Sequence, residues 1–287
     1  MVRLARFTLS VAMIAMMVVA LVPTTSAAPL PGIYLALGDS LLAPDGFGAS
    51  APDKAAFALF FDYLQQHGAA DQVVNLARGG EWSGGFSGQL AHGDRIDPAS
   101  QLAQALDVID DRATDVTVIS LSLGGNDVGP DSCFPDHTTA QCRSDQAANV
   151  AAFAWRLPAI LQELRPALAR DPGQERVLVV APFNPFGGMG DDFSWFFDTG
   201  GWESWVDAGM AGSDGAIDCA TPKPTYAVDD TIACVAPRHG ARVVDLWTLF
   251  DDQAALYTGM DEAGDTHPND IGHSLFAAAM IDAYNAK

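Results

Sequence analysis

Short apolar segments alternate along the chain with longer segments in which apolar residues recur at helical spacing. Short runs rich in valine, isoleucine and leucine predict strands. Five strands are predicted, at residues 33–37, 72–76, 116–123, 176–182 and 241–246. The third is apolar almost throughout, as expected for a strand buried on both faces. The alternation as a whole predicts a parallel sheet with helices on both faces.

Polar residues at the ends of the helical segments predict where the first two helices begin and end. Ser50 and Asp53 have the spacing of a capping box, and Gly68 is a typical stop. Asp97 is followed by Pro98, and proline suits the first position of a helix. We therefore expect one helix between Ser50 and Gly68 and a second that begins at Pro98.

Two further helices are predicted in the second half of the chain. An alanine-rich region has a helical pattern from about 145 to 170. Pro158 and Pro166 lie within it, so this helix is expected to be bent or divided. The last helix is expected to be capped by Asn269 and to close the chain.

This order of elements predicts a three-layer α/β/α protein with a flavodoxin-like parallel sheet of order 2-1-3-4-5. The length favours a single domain over residues 28–287. An insertion at about 183–235 interrupts the alternation and is dense in aromatic residues. It is either an apolar wall or lid over a substrate pocket or a satellite core that fixes the insertion to the domain. The aromatic residues of its first part are Phe183, Phe186, Phe193, Trp195, Phe196, Phe197, Trp202 and Trp205.

The first 27 residues have the pattern of an export signal. Arg3 and Arg6 precede an apolar run over 7–22, and small residues follow it. We expect cleavage after Ala27 and a secreted, soluble protein, with an uncleaved anchor as the alternative. No later segment has the ~18 uninterrupted apolar residues of a membrane span, so no transmembrane anchor is expected after cleavage.

Charge limits the classes of partner. The sequence contains 36 acidic and 15 basic residues, a net charge of −21, and loss of Arg3 and Arg6 with the signal makes it more negative. A surface of this charge repels nucleic acid and anionic membranes, so neither is expected as a partner. The acidity is also explained by solubility alone.

Four cysteines in an exported chain predict two disulfides. Of the three possible pairings, closeness in sequence favours Cys133 with Cys142 and Cys219 with Cys234. The sequence has no C-x-x-C pair and no histidines at metal-ligand spacing. We therefore expect neither a metal nor another cofactor.

Polar and glycine-rich segments follow four of the predicted strands. They lie at residues 38–41, 75–80, 124–127 and 265–268. In an open parallel sheet, ligands bind beyond the carboxyl ends of the strands, where the strand order reverses. We therefore expect these segments to meet at one edge of the sheet and to form the functional site.

These segments contain, in order, GDSL, NLARGG, GGND and THPND. Together they resemble the motifs of the GDSL esterase/lipase family of the SGNH hydrolase superfamily. The four marker residues of that family correspond to Ser40, Gly80, Asn126 and His267. The rival motif G-x-S-x-G is absent from the sequence, which argues against an α/β-hydrolase fold.

The resemblance implies a role for each marker residue. Ser40 is the expected nucleophile and His267 the base that takes its proton. The backbone N–H groups of Ser40 and Gly80 and the amide of Asn126 are the expected oxyanion hole. Candidate substrate contacts, with packing as the alternative role, are Trp82, Trp195 and Trp202.

The chain departs from the family pattern beside the histidine. The family usually has aspartate three residues before it, where this chain has Gly264. Asp265 is the nearest carboxylate, and Asp261 is more distant. Either Asp265 completes a triad with His267, or a backbone carbonyl near Gly264 or Asp265 orients the ring in a dyad.

The leading hypothesis is a secreted serine esterase or lipase that acts on a small-molecule ester or a lipid. A carbohydrate O-acetylesterase with the same catalytic residues is the alternative enzyme, and the preferred acyl length distinguishes the two. A binding module on an inactive hydrolase scaffold is the alternative of another class. A serine-directed fluorophosphonate label tests that alternative, because it needs a reactive serine. The sequence does not specify the oligomeric state.

Overall fold

The structure is a computed structural model that describes residues 32–88, 97–112, 115–134, 136–168, 176–190, 201–210, 227–250, 253–260 and 264–286. The predicted signal segment, 1–27, lies outside these residues, and so do Trp195 and Cys219.

Five parallel strands form the central sheet, at positions close to those that the apolar segments predict. They are β1 (Ile33–Gly38), β2 (Gln72–Asn75), β3 (Val116–Ser122), β4 (Arg176–Ala181) and β5 (Arg242–Asp245). Their order is β2-β1-β3-β4-β5, so the predicted flavodoxin-like order is confirmed. The order reverses between β1 and β3, and the loops after these two strands are therefore neighbours.

In the part of the chain that the structure describes, the helices are α1 (Ala56–Gln66), α2 (Ser83–Phe86), α3 (Gln101–Asp111), α4 (Gly125–Val128), α5 (Ala140–Leu168), α6 (Trp202–Met210), α7 (Val228–Val235), α8 (Leu246–Phe250), α9 (Ala254–Tyr257) and α10 (Asp270–Asn285). A second, antiparallel pair consists of β6 (Thr258–Gly259) and β7 (Asp265–Pro268).

Alternate residues of the strands supply two separate hydrophobic cores. On β1, Leu35 and Leu37 pack in the core formed with α3, α5 and α7. Tyr34 and Ala36, which point to the opposite face, pack in the core formed with α1, α8 and α10. This period-two alternation places one helical layer on each face of the sheet and gives the three predicted layers.

The predicted capping box at α1 is wrong. The hydroxyl and backbone N–H of Ser50 donate to Asp270 at the start of α10, and not within their own segment. The first N–H of α1, on Ala56, instead donates to the ring of the buried His273, at 3.2 Å. A residue 217 positions away in sequence therefore caps this helix.

The second predicted helix begins three residues later than expected. Asp97 and Pro98 form a turn that ends at Ser100, whose N–H donates to the Asp97 carbonyl. The hydroxyl of Ser100 then accepts from Ala103, so Ser100 is the N-cap and Gln101 is the first helical residue. A serine cap that satisfies an N–H of the first turn is the stronger start signal.

The long helix α5 is not divided at its prolines. It runs without a break from Ala140 to Leu168 and includes Pro158 and Pro166. The missing hydrogen bond at a helical proline costs about 3 kcal/mol. A continuous apolar stripe offsets that cost, because it is buried against the sheet; its residues are Phe153, Leu157, Ile160, Leu161 and Leu164.

The predicted stop of α1 and the predicted start of α10 agree with the structure. Gly68, with a φ of 67°, follows the last turn of α1. Asn269 caps α10 by accepting from the N–H groups of Ile271 and Gly272. The same side chain donates to the carbonyl of Thr258, so it also joins α10 to β6.

One disulfide joins Cys133 to Cys142, with the two Cα atoms 4.6 Å apart. It closes the short loop that leads into α5. Cys234, at the end of α7, is also disulfide-bonded. Among the helices of the described residues, none has the length and apolar character needed to cross a membrane.

Candidate active site

Ser40 lies at the carboxyl end of β1, in the turn where the sequence places it. Gly38 is the last residue of the strand and has a φ of +114°, and a Cβ atom there would overlap the carbonyl oxygen of Ser122 on β3. Only glycine fits this position. The chain bends here, and the following N–H, on Asp39, donates to the Ser122 carbonyl at 2.9 Å.

The side chains of Ser40, His267 and Asp265 form a continuous hydrogen-bonded row. Ser40 Oγ lies 2.9 Å from His267 Nε2. On the other side of the ring, His267 Nδ1 lies 2.6 Å from Asp265 Oδ1. The same carboxylate oxygen accepts the backbone N–H of His267 at 3.0 Å. Gly264 has a φ of +65°, a conformation that favours glycine, and precedes the aspartate.

Two residues fix the position of the His267 ring from outside this row. Phe47 stacks on the ring with centroids 5.0 Å apart. The Phe47 carbonyl contacts His273 Nε2 at 2.9 Å. Burial lowers the pKa of His273, so this imidazole stays neutral. A neutral ring can accept from Ala56 with one nitrogen while it donates to Phe47 with the other.

The glycine and asparagine of the second and third motifs lie beside the serine. Gly80 has a φ of +72°, and space is open where its side chain would be. Asn126 Nδ2 donates to the carbonyl of Glu81 at 2.9 Å, which joins α4 to the residue after Gly80. In the described residues, the backbone N–H groups of Ser40 and Gly80 form no hydrogen bond and remain available to a ligand.

Two buried carboxyl groups flank these loops. Asp39 accepts from Ser122 Oγ and from the N–H of Leu41. Burial, which these bonds only partly offset, raises its pKa to about 7. Asp127 accepts from the N–H and the hydroxyl of Ser83, and burial raises its pKa to about 6. Both groups connect neighbouring loops of the site.

A pocket of about 490 Å³ opens at Ser40. One end is formed by the polar groups of the site, and the rest of the wall is mostly apolar. The apolar wall contains Phe47, Val128, Phe134, Phe183, Phe186, Trp205, Val206 and Met210. Of the lining residues that the structure describes, Asp39 and His267 are the ionisable ones. The described residues contain no group of three side chains placed to hold a metal ion.

Of the three tryptophans singled out in the sequence, Trp82 and Trp202 are not among the residues that line the pocket, and Trp195 lies outside the described residues. Trp82 packs under the guanidinium of Arg156, 4.9 Å from its ring centroid. Trp202 is buried and stacks on Phe134. Its neighbour Trp205 does line the pocket. The aromatic insertion therefore supplies both a part of the wall and a cluster that packs behind it.

Sequence reasoning missed Phe47, His273 and Gln101. Gln101 is fully buried, and its amide contacts both backbone polar groups of Gly38. One signal for it was present in the sequence: Gln101 shares the apolar face of its helix with Ala105. A polar residue on such a face needs a buried partner. His273 gave the same signal, because it shares the apolar face of its helix with Phe276 and Met280, whereas the segment around Phe47 gives none.

The fold and the site together define a class of protein. A hydroxyl, an imidazole and a carboxylate in hydrogen-bonded sequence, at the carboxyl edge of a parallel α/β/α sheet, are the components of a serine hydrolase. The sequence model of the GDSL-like Lipase/Acylhydrolase family matches residues 36–275, and the chain belongs to this family. It is a serine hydrolase that acts on ester bonds.

Solved structures share this fold. A lipase from a goat rumen metagenome is 14% identical, with a TM-score of 0.54, and the match covers 88% of this chain and 97% of the lipase. An acetylxylan esterase from Geobacillus stearothermophilus is also 14% identical, with a TM-score of 0.51, and the match covers 89% of this chain and 95% of that one. No curated protein matches the sequence.

Proposed function

We propose that this protein hydrolyses carboxylic esters with apolar acyl groups through a covalent intermediate on Ser40. The observation that carries the proposal is the 2.9 Å contact between Ser40 Oγ and His267 Nε2 at the mouth of an apolar pocket. A serine hydroxyl is a weak nucleophile until an adjacent base takes its proton. His267 is placed to be that base.

The reaction has two halves. Ser40 Oγ attacks the ester carbonyl carbon while its proton passes to His267 Nε2. The tetrahedral intermediate then collapses, the bond to the alcohol breaks, and the alcohol leaves with the proton from His267. Water attacks the acyl-serine in the second half, gives a proton to the same nitrogen, and releases the acid as Ser40 regains its proton.

Asp265 and the oxyanion donors stabilise charge that develops during these steps. The Asp265 carboxylate contacts Nδ1 at 2.6 Å and so stabilises the imidazolium and holds the ring in orientation. The N–H groups of Ser40 and Gly80 and the amide of Asn126 donate to the oxyanion. Loss of one such donor typically lowers the rate ~10²- to 10³-fold.

The character of the pocket favours an apolar acyl group over an acetylated sugar. A sugar requires several placed hydrogen-bonding groups, whereas an acyl chain requires apolar wall. The described wall beyond the catalytic groups is mostly aromatic and aliphatic. The apolar wall includes both an exposed residue, Phe134, and a buried one, Val206 on α6.

Hydrolysis of p-nitrophenyl esters of graded acyl length tests the proposal. We expect kcat/KM to rise from acetate to butyrate and hexanoate, and Ser40→Ala to abolish hydrolysis of every ester. Phe134→Ala should lower kcat/KM for hexanoate more than for acetate. Leu256→Ala is the control, because Leu256 is also an exposed apolar residue but does not line the pocket. Activity confined to acetyl esters would instead support a carbohydrate O-acetylesterase.

We also propose that the protein is exported as a single catalytic domain, residues 28–287. The signal-like pattern of residues 1–27 and the disulfides support this, because disulfides persist in oxidising compartments. Expression of the full chain in a secreting host should give extracellular protein whose N-terminal residue is Ala28. Retention of residues 1–27 in a membrane fraction would contradict cleavage and support an anchor.

A further inference from the structure

The buried amide of Gln101 connects two loops of the site. Its Oε1 accepts the N–H of Gly38 at 2.5 Å, and its Nε2 donates to the Gly38 carbonyl at 3.0 Å. The same nitrogen donates to Glu81 Oε2 at 3.3 Å. Gly38 is two residues before Ser40, and Glu81 directly follows Gly80. One side chain therefore contacts both the nucleophile turn and the loop of the second oxyanion donor.

The position of Gly38 explains why this contact is needed. Strand β2 ends at Asn75, which pairs with Ala36, and beyond it the N–H groups of Leu76 and Arg78 still donate to the carbonyls of Ala36 and Gly38. The Gly38 N–H has no strand partner there, and Gln101 Oε1 takes that place. An unpaired buried N–H would be unfavourable, and glycine by itself does little to hold one backbone conformation.

Glu81 extends the connection to the third oxyanion donor. Its carboxylate accepts from Gln101, and its backbone carbonyl accepts from Asn126 Nδ2 at 2.9 Å. The hydrogen-bonded path therefore runs from Gly38 through Gln101 and Glu81 to Asn126. It touches all three segments that carry the expected donors to the oxyanion.

We propose that Gln101 is a positioning residue, which together with Glu81 sets the distances among the three oxyanion donors. This inference rests on the proposed function of Ser40, Gly80 and Asn126. This positioning matters in the transition state, because the three donors must fit the oxyanion that forms there and not the carbonyl of the bound ester. Displacement of catalytic groups by 1 Å costs up to about 100-fold in rate.

The first test replaces the amide with a side chain of similar length that forms no comparable hydrogen bonds. Gln101→Met should lower kcat about 10- to 100-fold on a p-nitrophenyl ester, while KM changes less than about threefold. Ser100→Ala is the matched control, because it removes the cap of α3 but leaves the Gln101 amide in place. It should lower the melting temperature and keep kcat within about twofold of wild type.

The second test exchanges the amide of Gln101 and the carboxylate of Glu81. Gln101→Glu alone places two carboxyl groups where an amide and a carboxylate now meet, and kcat should fall at least as far as in Gln101→Met. Glu81→Gln added to it restores a donor and an acceptor at that contact. The double variant should recover about tenfold in kcat over Gln101→Glu, a coupling that independent sites do not show.

The outcomes separate the positioning role from stability and from the proposed function. Folded Gln101→Met with kcat within twofold of wild type would overturn the proposal. So would a kcat loss in Ser100→Ala equal to that in Gln101→Met, or a double variant no more active than Gln101→Glu. An active wild type and an inactive Ser40→Ala, measured alongside, keep the proposed function intact whichever way these results fall.

Discussion

At the scale of single residues, the unusual feature is the aspartate two positions before the histidine. Asp265 follows Gly264, whose left-handed conformation turns the chain, and one oxygen of Asp265 then contacts both the ring and the backbone N–H of His267. Asp265 is 37% exposed at its side chain and His267 24%. The contact between the carboxylate and the ring is therefore only partly screened by solvent.

Neutralising Asp265 tests whether this contact has a catalytic role. Asp265→Asn should lower kcat by up to ~10⁴-fold, because an amide favours the wrong tautomer of the imidazole and does not stabilise the imidazolium. Asp265→Ala serves as the comparison that removes the contact altogether. Steady-state kinetics, with folding checked by circular dichroism, measure the effect. A fall of less than about tenfold, or about 1.4 kcal/mol, would favour orientation of the ring by other groups.

Asp39 predicts a pH dependence of stability. Burial raises its pKa from an ordinary value of 3.8 to about 7. Between these values the unfolded chain has released a proton that the folded chain retains, so the free energy of unfolding falls as pH rises. One such group contributes a slope of up to about 1.4 kcal/mol per pH unit. Above the pKa of about 7, the free energy of unfolding carries the full cost of burying the ionised carboxylate.

Asp39→Asn should remove this slope while it keeps an oxygen that can accept from Ser122 and Leu41. Urea unfolding of both proteins at about pH 5 and pH 7 measures the effect. The free energy of unfolding of wild type should fall relative to that of the variant by about 1–3 kcal/mol as the pH rises from about 5 to about 7. If the free energies of unfolding of the two proteins change in parallel with pH, Asp39 is already ionised in the folded protein at about pH 5.

At the scale of elements, the disulfide Cys133–Cys142 holds the loop that begins with Phe134. Phe134 lines the pocket and stacks on Trp202, with ring centroids 5.2 Å apart. The bridge spans nine positions of sequence at the entrance to α5. A constraint of this kind restricts the unfolded chain and fixes the loop beside the pocket.

Removal of this bridge should affect both stability and acyl preference. Cys133→Ser with Cys142→Ser should lower the free energy of unfolding by about 2–4 kcal/mol, the typical range for a disulfide. Hydrolysis of hexanoate should fall more than hydrolysis of acetate, since the short acyl group does not need the outer wall. Equal loss on both esters would show that the loop does not contribute to the acyl pocket. The pairing of Cys219 with Cys234 stays a prediction for non-reducing peptide mapping.

The elements differ in how well the sequence predicts them, for physical reasons. The strands were predicted closely because apolar runs between turn residues are a local signal. The start of α1 was not predicted correctly, because its cap is His273, which is distant in sequence. The continuity of α5 was not predicted either, because burial of its apolar stripe outweighs the local effect of the prolines. Ser40 and His267 were recognisable from their motifs, whereas Phe47 and Gln101 act through contacts that no motif records.

At the scale of the whole molecule, the sheet assembles a site from segments that are far apart in sequence. Ser40 and His267 are separated by 227 positions and lie within hydrogen-bonding distance. The reversal of strand order between β1 and β3 brings the first three motifs to one edge of the sheet. β7, which leads directly into the capped helix α10, places the histidine beside them.

The central claim is that Ser40 forms the covalent intermediate, and covalent labelling tests it most directly. Purified wild type and Ser40→Ala are each treated with a fluorophosphonate, analysed by intact mass and peptide mapping, and assayed on p-nitrophenyl butyrate. We expect wild type to gain one phosphonyl group at Ser40 and to lose hydrolysis in parallel. Ser40→Ala should be unlabelled and inactive, with an unchanged melting temperature. Labelling at another residue, or hydrolysis by folded Ser40→Ala, would contradict the account.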